Sequence, residues 1–291
     1  MPNHRNPTRR NRNIGTGKQG HGQDNRDRIP ESWQYSRTDW SRAKHHRVTN
    51  QTVWGRQMPF MVERTLQGYF HACTVDDVAS MLNRLPKEHI NSHGEIPGIQ
   101  GVVLRQPTRK ENQLGGVWGR LAYSVQVGSG FGPVIFLEAQ EFPCVLPWSL
   151  KLDPEDQKEL DRLLGEASRV EHTKRAHILH FDIEGVRRVQ LFRSLAHELG
   201  HWVDMVTKVE VPSLDDFDQW EGLWERYFQR PRREREEFAH GYADRVMAEL
   251  RSSGTVPFER HIDPDGLERS GLYMQDFVPG ESGGADPSAP A

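Results

Sequence analysis

Apolar and polar positions change period several times along the chain, and each change predicts an element. Thr74 with Asp77 three residues on has the form of an N-cap and capping box, and Val75, Val78, Met81 and Leu82 then recur at helical spacing until Pro86 ends the run. Three strand-like runs follow at 99–104, 121–127 and 133–138, separated by Gly, Pro, Asn and Gln clusters of turn character. Asp153 and Pro154 supply the N-cap and first position of a second helix, with Leu160, Leu163 and Leu164 on its buried side. The short apolar run 177–181 reads as another strand, and from Glu184 the pattern is helical for roughly twenty residues. Strands in a run followed by helices in a run indicate an α+β fold, a small mixed or antiparallel sheet ahead of a helical core, rather than a doubly wound one.

Composition sets the limits of that core. From Met1 to about Pro30 the sequence is Arg, Asn, Gly and Gln with hardly an aliphatic residue, too little apolar surface to offset the entropy of ordering. The reading is a disordered basic arm over 1–45, one domain over 46–278 and a flexible Gly, Ser, Pro and Ala tail over 279–291. With 38 basic against 41 acidic residues the net charge of −3 gives no global reason to expect nucleic acid or an anionic membrane as partner, and only the basic arm offers weak contact to nucleic acid. Cys73 and Cys144 lie far apart, so neither a disulfide framework nor a cysteine metal site is indicated. No apolar run approaches the roughly 20 residues of a membrane span and no secretory h-region is present. The expectation is a soluble, cytoplasmic protein, although export by a route without a cleaved signal leaves the same trace.

The chemistry lies in the helical part. His197, Glu198 and His201 form an H-E-x-x-H pattern inside an amphipathic segment in which Phe192, Leu195, Leu199, Trp202 and Val206 make the apolar stripe. Ser194, His197, His201 and Asp204 make a second stripe, so both imidazoles project from one face, one turn apart. Two corners of a tetrahedral zinc are thereby supplied, with Glu198 beside the metal as general base for a water whose pKa the ion lowers to about 7. Gly200, a poor helix former, leaves room close to the metal or for another element.

A catalytic zinc takes a third protein ligand. A metzincin continuation is excluded because Asp204 and Thr207 stand where Gly and His or Asp are required. The remaining source is a second helix carrying Glu236, Ala239, His240 and Ala243 on one side, with Glu237, about 100° round the helix, as the alternative ligand. Asp204 is placed to accept the second ring N–H of a histidine ligand, and His240 to line the cleft. Trp220, Trp224, Tyr227 and Phe228 have the spacing of a packed helix face. His177 and His180 read as strand-edge histidines, and 133–138 is the candidate for an edge strand that pairs with an extended substrate.

His197-Glu-Leu-Gly-His-Trp-Val-Asp204 together with Glu236-Glu-Phe-Ala-His-Gly-Tyr-Ala243 resembles the paired signatures of gluzincin metallopeptidases. The likeness is to the lethal-factor-like and Pro-Pro endopeptidase group, whose second helix reads Glu-x-Phe-Ala, and to the ImmA/IrrE family. It covers about sixty residues, from Leu191 to Leu250. It implies one zinc per chain held by His197, His201 and Glu236, Glu198 as base, and a protein or peptide substrate. Where the lethal-factor-like group has an oxyanion-stabilising tyrosine this chain has Gln229, which leaves Tyr227 or a histidine for that role. The peptidase reading stands first, ahead of an ImmA/IrrE-like protein acting on a transcriptional repressor and of a structural metal site.

Overall fold

The computed structural model describes residues 35–36, 46–91, 94, 96–107 and 117–279. Of the N-terminal arm only Tyr35–Ser36 falls within them, as the short strand β1, and the tail beyond 279 lies outside the described residues.

Strands β2 (His46–Val53) and β3 (Arg56–Glu63) form a hairpin closed by Trp54 and Gly55, both at positive φ, 49° and 77°. Such a two-residue turn favours Asn-Gly or Asp-Gly. Trp54 holds the conformation through its anchors, with Nε1 donating to the carbonyls of Leu82 (3.0 Å) and Leu85 (3.1 Å) and its backbone N–H to Asn83 Oδ1 (2.7 Å). These anchors come from the last residue of helix α1 (Val75–Leu82) and the segment just after it; the capping box between Thr74 and Asp77 at its start forms as the sequence predicts. A one-turn helix α2 (Lys87–Ile90) and strands β5 (Gly101–Arg105), β6 (Gly119–Val127) and β7 (Gly130–Glu138) follow.

The main sheet is six-stranded and mixed, in the order β1-β6-β7-β5-β3-β2. Pairings β1 with β6, β7 with β5 and β5 with β3 are parallel, while β6 with β7 and β2 with β3 are antiparallel. Strand β7 is therefore interior. The expectation that 133–138 is an edge strand is wrong, because strand order is set by long-range pairing that local hydrophobicity does not encode. Alternation at period two divides the buried side chains. Phe60, Val62, Val102, Leu104, Leu121, Ile135 and Leu137 face the main core, and Met61, Val103, Ala122, Val134 and Phe136 form a smaller cluster.

A second layer is built from β9 (Cys144–Ser149), α3 (Pro154–Leu164), β10 (Arg169–His172) and β11 (Ala176–Phe181), with the three strands antiparallel in the order β10-β11-β9. Leu160 and Leu163 are buried there, but Leu164 is exposed, since adjacent leucines 100° apart cannot share a narrow buried stripe. Short strands β4 (Tyr69–Phe70) and β8 (Gln140–Glu141) pair beside it.

The helical run expected from Glu184 is longer than its pattern indicates. It comprises α4 (Ile183–Val189), a π turn at Gln190–Ser194, α5 (Leu195–Met205), a second π turn at Val206–Glu210 and a 3-10 turn at Val211–Ser213. Helices α6 (Phe217–Gln229), α7 (Arg232–Ser252) and α8 (Pro264–Arg269) complete the α+β architecture. Among the described residues no helix is long and apolar enough to cross a membrane.

One buried ion pair ties these parts together. Arg187 on α4 donates to both carboxylate oxygens of Asp77 on α1 (3.1 and 3.2 Å) and to the carbonyls of Phe258 and Glu259, with both side chains fully buried. Removing one partner strands a charge in the interior, so Asp77→Ala is expected to lower the unfolding free energy by about 3–5 kcal/mol in chemical denaturation.

His71 is buried with Nε2 against the Glu63 carbonyl (2.8 Å), and burial lowers its pKa from the ordinary 6.5. The folded chain then binds this proton less readily than the unfolded chain, so stability is complete above pH 6.5 and falls as pH drops below it. Melting temperatures across that window are expected to decline more gently for His71→Gln than for the wild type.

Candidate metal centre

Helix α5 packs against α7 closely enough that only a glycine fits. A Cβ at Gly200 would lie 2.9 Å from Ala239 Cα, 3.0 Å from Ala239 O and 3.1 Å from Tyr242 Cδ1. Ala239 and Ala243 are themselves buried, and the small residues bring the two backbones together where His197, His201 and Glu236 project. The room left by Gly200 is thus room for α7.

His197 Nε2 stands 3.1 Å from His201 Nε2, and Glu236 Oε2 stands 3.2 Å from the first and 3.6 Å from the second. Bonds of about 2.0–2.2 Å to a tetrahedral ion place its ligand atoms about 3.3–3.6 Å apart, close to this triangle. The three side chains form the one group among the described residues whose ligand atoms converge as a metal site requires. Glu237 does not take part. It points to solvent and pairs with Arg233 at 3.0 Å, so of the two glutamates it is Glu236 that lies with the histidine pair.

Burial pushes the Glu236 carboxyl up, but hydrogen bonds from His197 and His201, with their charges, outweigh it and hold the group well below the usual carboxylate range. For His201, burial acts downward and the Glu236 hydrogen bond and charge act upward and prevail. Arg232 adds a hydrogen bond to the other Glu236 oxygen at 3.3 Å.

Glu198 lies against β6. It is buried, its carboxylate accepts a backbone hydrogen bond from Leu121, and its Cγ lies 3.5 Å from where a Cβ on Gly119 would be. Burial raises its pKa, with the two histidines opposing. Neither Gly119 nor Leu121 is identifiable from sequence, because their importance comes from a strand aligned on the helix by tertiary packing.

The other expected residues divide. His240, one turn after Glu236, lies beside the cluster with its ring 4.3 Å from that of His197, and burial followed by the His197 charge pushes it down to about 2. Asp204 does not reach a histidine. It is fully buried and accepts from Lys208 Nζ and from Arg230 Nη1 (3.1 Å), while the Nδ1 atoms of His197 and His201 are buried without a hydrogen-bond partner. One turn beyond His201 the helix has rotated Asp204 toward the corner between α6 and α7, where Arg230 competes for it more strongly than a neutral ring N–H.

Tyr227 is also outside the cleft. Its hydroxyl donates to the His201 carbonyl (3.4 Å), and its ring packs on Tyr123 and Phe228, so it is a core residue beneath the site. Trp220, Trp224 and Phe228 stack along the same face. His177 meets His172 across the β10–β11 hairpin (2.7 Å) and His180 approaches Glu171 (3.3 Å), both apart from the triad.

No protein-family model, curated protein or solved structure matches this chain.

The packing predicts a contest of signs at Gly200. Alanine raises helix propensity by up to about 1 kcal/mol, yet the contacted atoms are largely backbone and must move. Gly200→Ala is expected to destabilise by about 1–3 kcal/mol and to weaken metal binding in a titration. Gly222→Ala, on α6 with open space around it, is expected to stabilise instead.

Proposed function

We propose that this chain is a zinc-dependent peptidase, with His197, His201 and Glu236 as metal ligands and Glu198 as general base. The observation that carries the reading is the convergence of two Nε2 atoms and one carboxylate oxygen at 3.1–3.6 Å, with a second, non-ligand carboxylate buried beside them. It supports the resemblance to gluzincins at the level of the helices that carry the motif.

The donor set suits zinc: two neutral imidazoles and one carboxylate leave a fourth position open. When bound there, zinc supplies a Lewis acid that acidifies water and polarises a carbonyl. Glu198 then accepts the proton of the attacking water and delivers it to the leaving nitrogen. The Leu121 N–H holds one side of that carboxylate and fixes its direction. A site whose metal only joins two helices has no use for such a base, which places the structural reading behind the catalytic one.

The test is zinc content per chain together with peptide hydrolysis. The wild type is expected to carry about one zinc per chain, Glu236→Ala to lose it, and Glu198→Gln to keep it while hydrolysis falls about 10²–10⁴-fold. Protein that neither retains zinc nor takes it up on addition would sink the reading.

A further inference from the structure

We propose that His172 and His177 form a further metal site, for a divalent ion of the zinc, copper or nickel kind, at the open end of the β10–β11 hairpin. The site shares no residue with the triad and does not rest on the peptidase reading.

The two histidines stand directly opposite each other in the ladder. Antiparallel pairs alternate between those that exchange backbone hydrogen bonds and those that do not, and side chains of the second kind lie closer. The next pair outward is bonded, with the Thr173 N–H donating to the Ala176 carbonyl at 2.9 Å, so His172 and His177 fall in the closer class. Thr173 also fastens the turn through its hydroxyl, which donates to the Ala176 carbonyl and accepts from the Ala176 N–H, both at 2.9 Å. The strand ends that carry the two rings are thereby held in place.

The rings are nearly perpendicular (87°), with centroids 4.9 Å apart, and their Nδ1 atoms approach to 2.7 Å. That contact takes one proton, donated by one Nδ1 and accepted by the other. With both neutral rings protonated on Nε2 instead, two Nδ1 lone pairs face one point, and no proton is gained or lost overall. Zinc–nitrogen bonds of about 2.0–2.1 Å at a tetrahedral angle set the nitrogens about 3.3–3.4 Å apart. The rings reach that spacing by parting about 0.6–0.7 Å.

The surroundings select the ion. By period two, Val170 and Leu179 share the face of the pair and pack into the second apolar cluster, and Trp148 stands beside His177 on β9. Glu171 lies on the other face, where it pairs with Arg169 at 2.7 Å and His180 at 3.3 Å. The donors are therefore imidazoles without a carboxylate, which suit zinc, copper and nickel and exclude calcium and magnesium. With two side chains rather than three, water fills the remaining positions, and the ion is held more weakly than at the triad.

The test titrates zinc into the full chain by calorimetry, beside His172→Ala, His177→Ala and the double variant His201→Ala, Glu236→Ala. Wild type is expected to take up a second, weaker equivalent after the one at the triad. Each hairpin substitution should weaken that second equivalent about 10²-fold, because the remaining imidazole loses a partner held at high effective concentration, and leave the first unchanged. The double variant should lose the first equivalent and keep the weaker one. Absence of the weaker equivalent from the wild type overturns the hairpin site. A weaker equivalent that survives either hairpin substitution is an adventitious ion only, on another of the fourteen histidines, and overturns it as well. Absence of the tight equivalent alone counts against the peptidase reading and leaves the hairpin site standing.

Discussion

The arrangement depends on the contact between Gly200 and Ala239, where two helix backbones meet with no side chain between them. Imidazoles on α5 have short reach, and a glutamate on α7 can complete their triangle only if the helix axes are near. The Tyr242 ring lies beside that contact, and Asp204 pins Arg230 at the corner where α7 begins. The geometry of the His197, His201 and Glu236 triangle is thus an outcome of helix packing, with the polar residues placed by apolar and backbone contacts around them.

The same packing explains why some charges are buried. Arg187 with Asp77 and Asp204 with Arg230 stand where separate elements converge, each carboxylate fully enclosed and answered by a guanidinium. A guanidinium holds several acceptors at fixed angles, so each pair fixes direction as well as distance. Glu138 performs a similar task inside the sheet, where Arg105 and Arg120 reach the same oxygen at 2.8 and 3.0 Å.

Much of this was legible in the sequence, and the limits have physical causes. The capping box at Thr74, the strands around Val102, Ala122 and Ile135, and the shared face of His197 and His201 follow from local periodicity, while the convergence of Glu236 on them was implied by the resemblance to gluzincins. What failed depended on distant partners. The β2–β3 hairpin is hidden because its turn is Trp-Gly, stabilised from α1 rather than by its own residues. Asp204 and Tyr227 share the stripe or neighbourhood of the site, yet a helical wheel cannot tell a cleft from the corner behind it. Strand order placed β7 in the interior, between β6 and β5, and no local pattern distinguishes an interior from an edge position among apolar strands.

The two π turns flanking α5 act on the phase of the helix. Each carries a wider turn than the α form, so the direction in which side chains point is reset at Gln190–Ser194 and again at Val206–Glu210. Before the first reset Val186 and Val189 pack into the layer of β9, β10 and β11; after it Leu195 and Leu199 pack beneath the main sheet. A single unbroken rod thus serves two cores that lie at different angles around it, and the eleven residues between the resets can be aimed independently of what either neighbour buries.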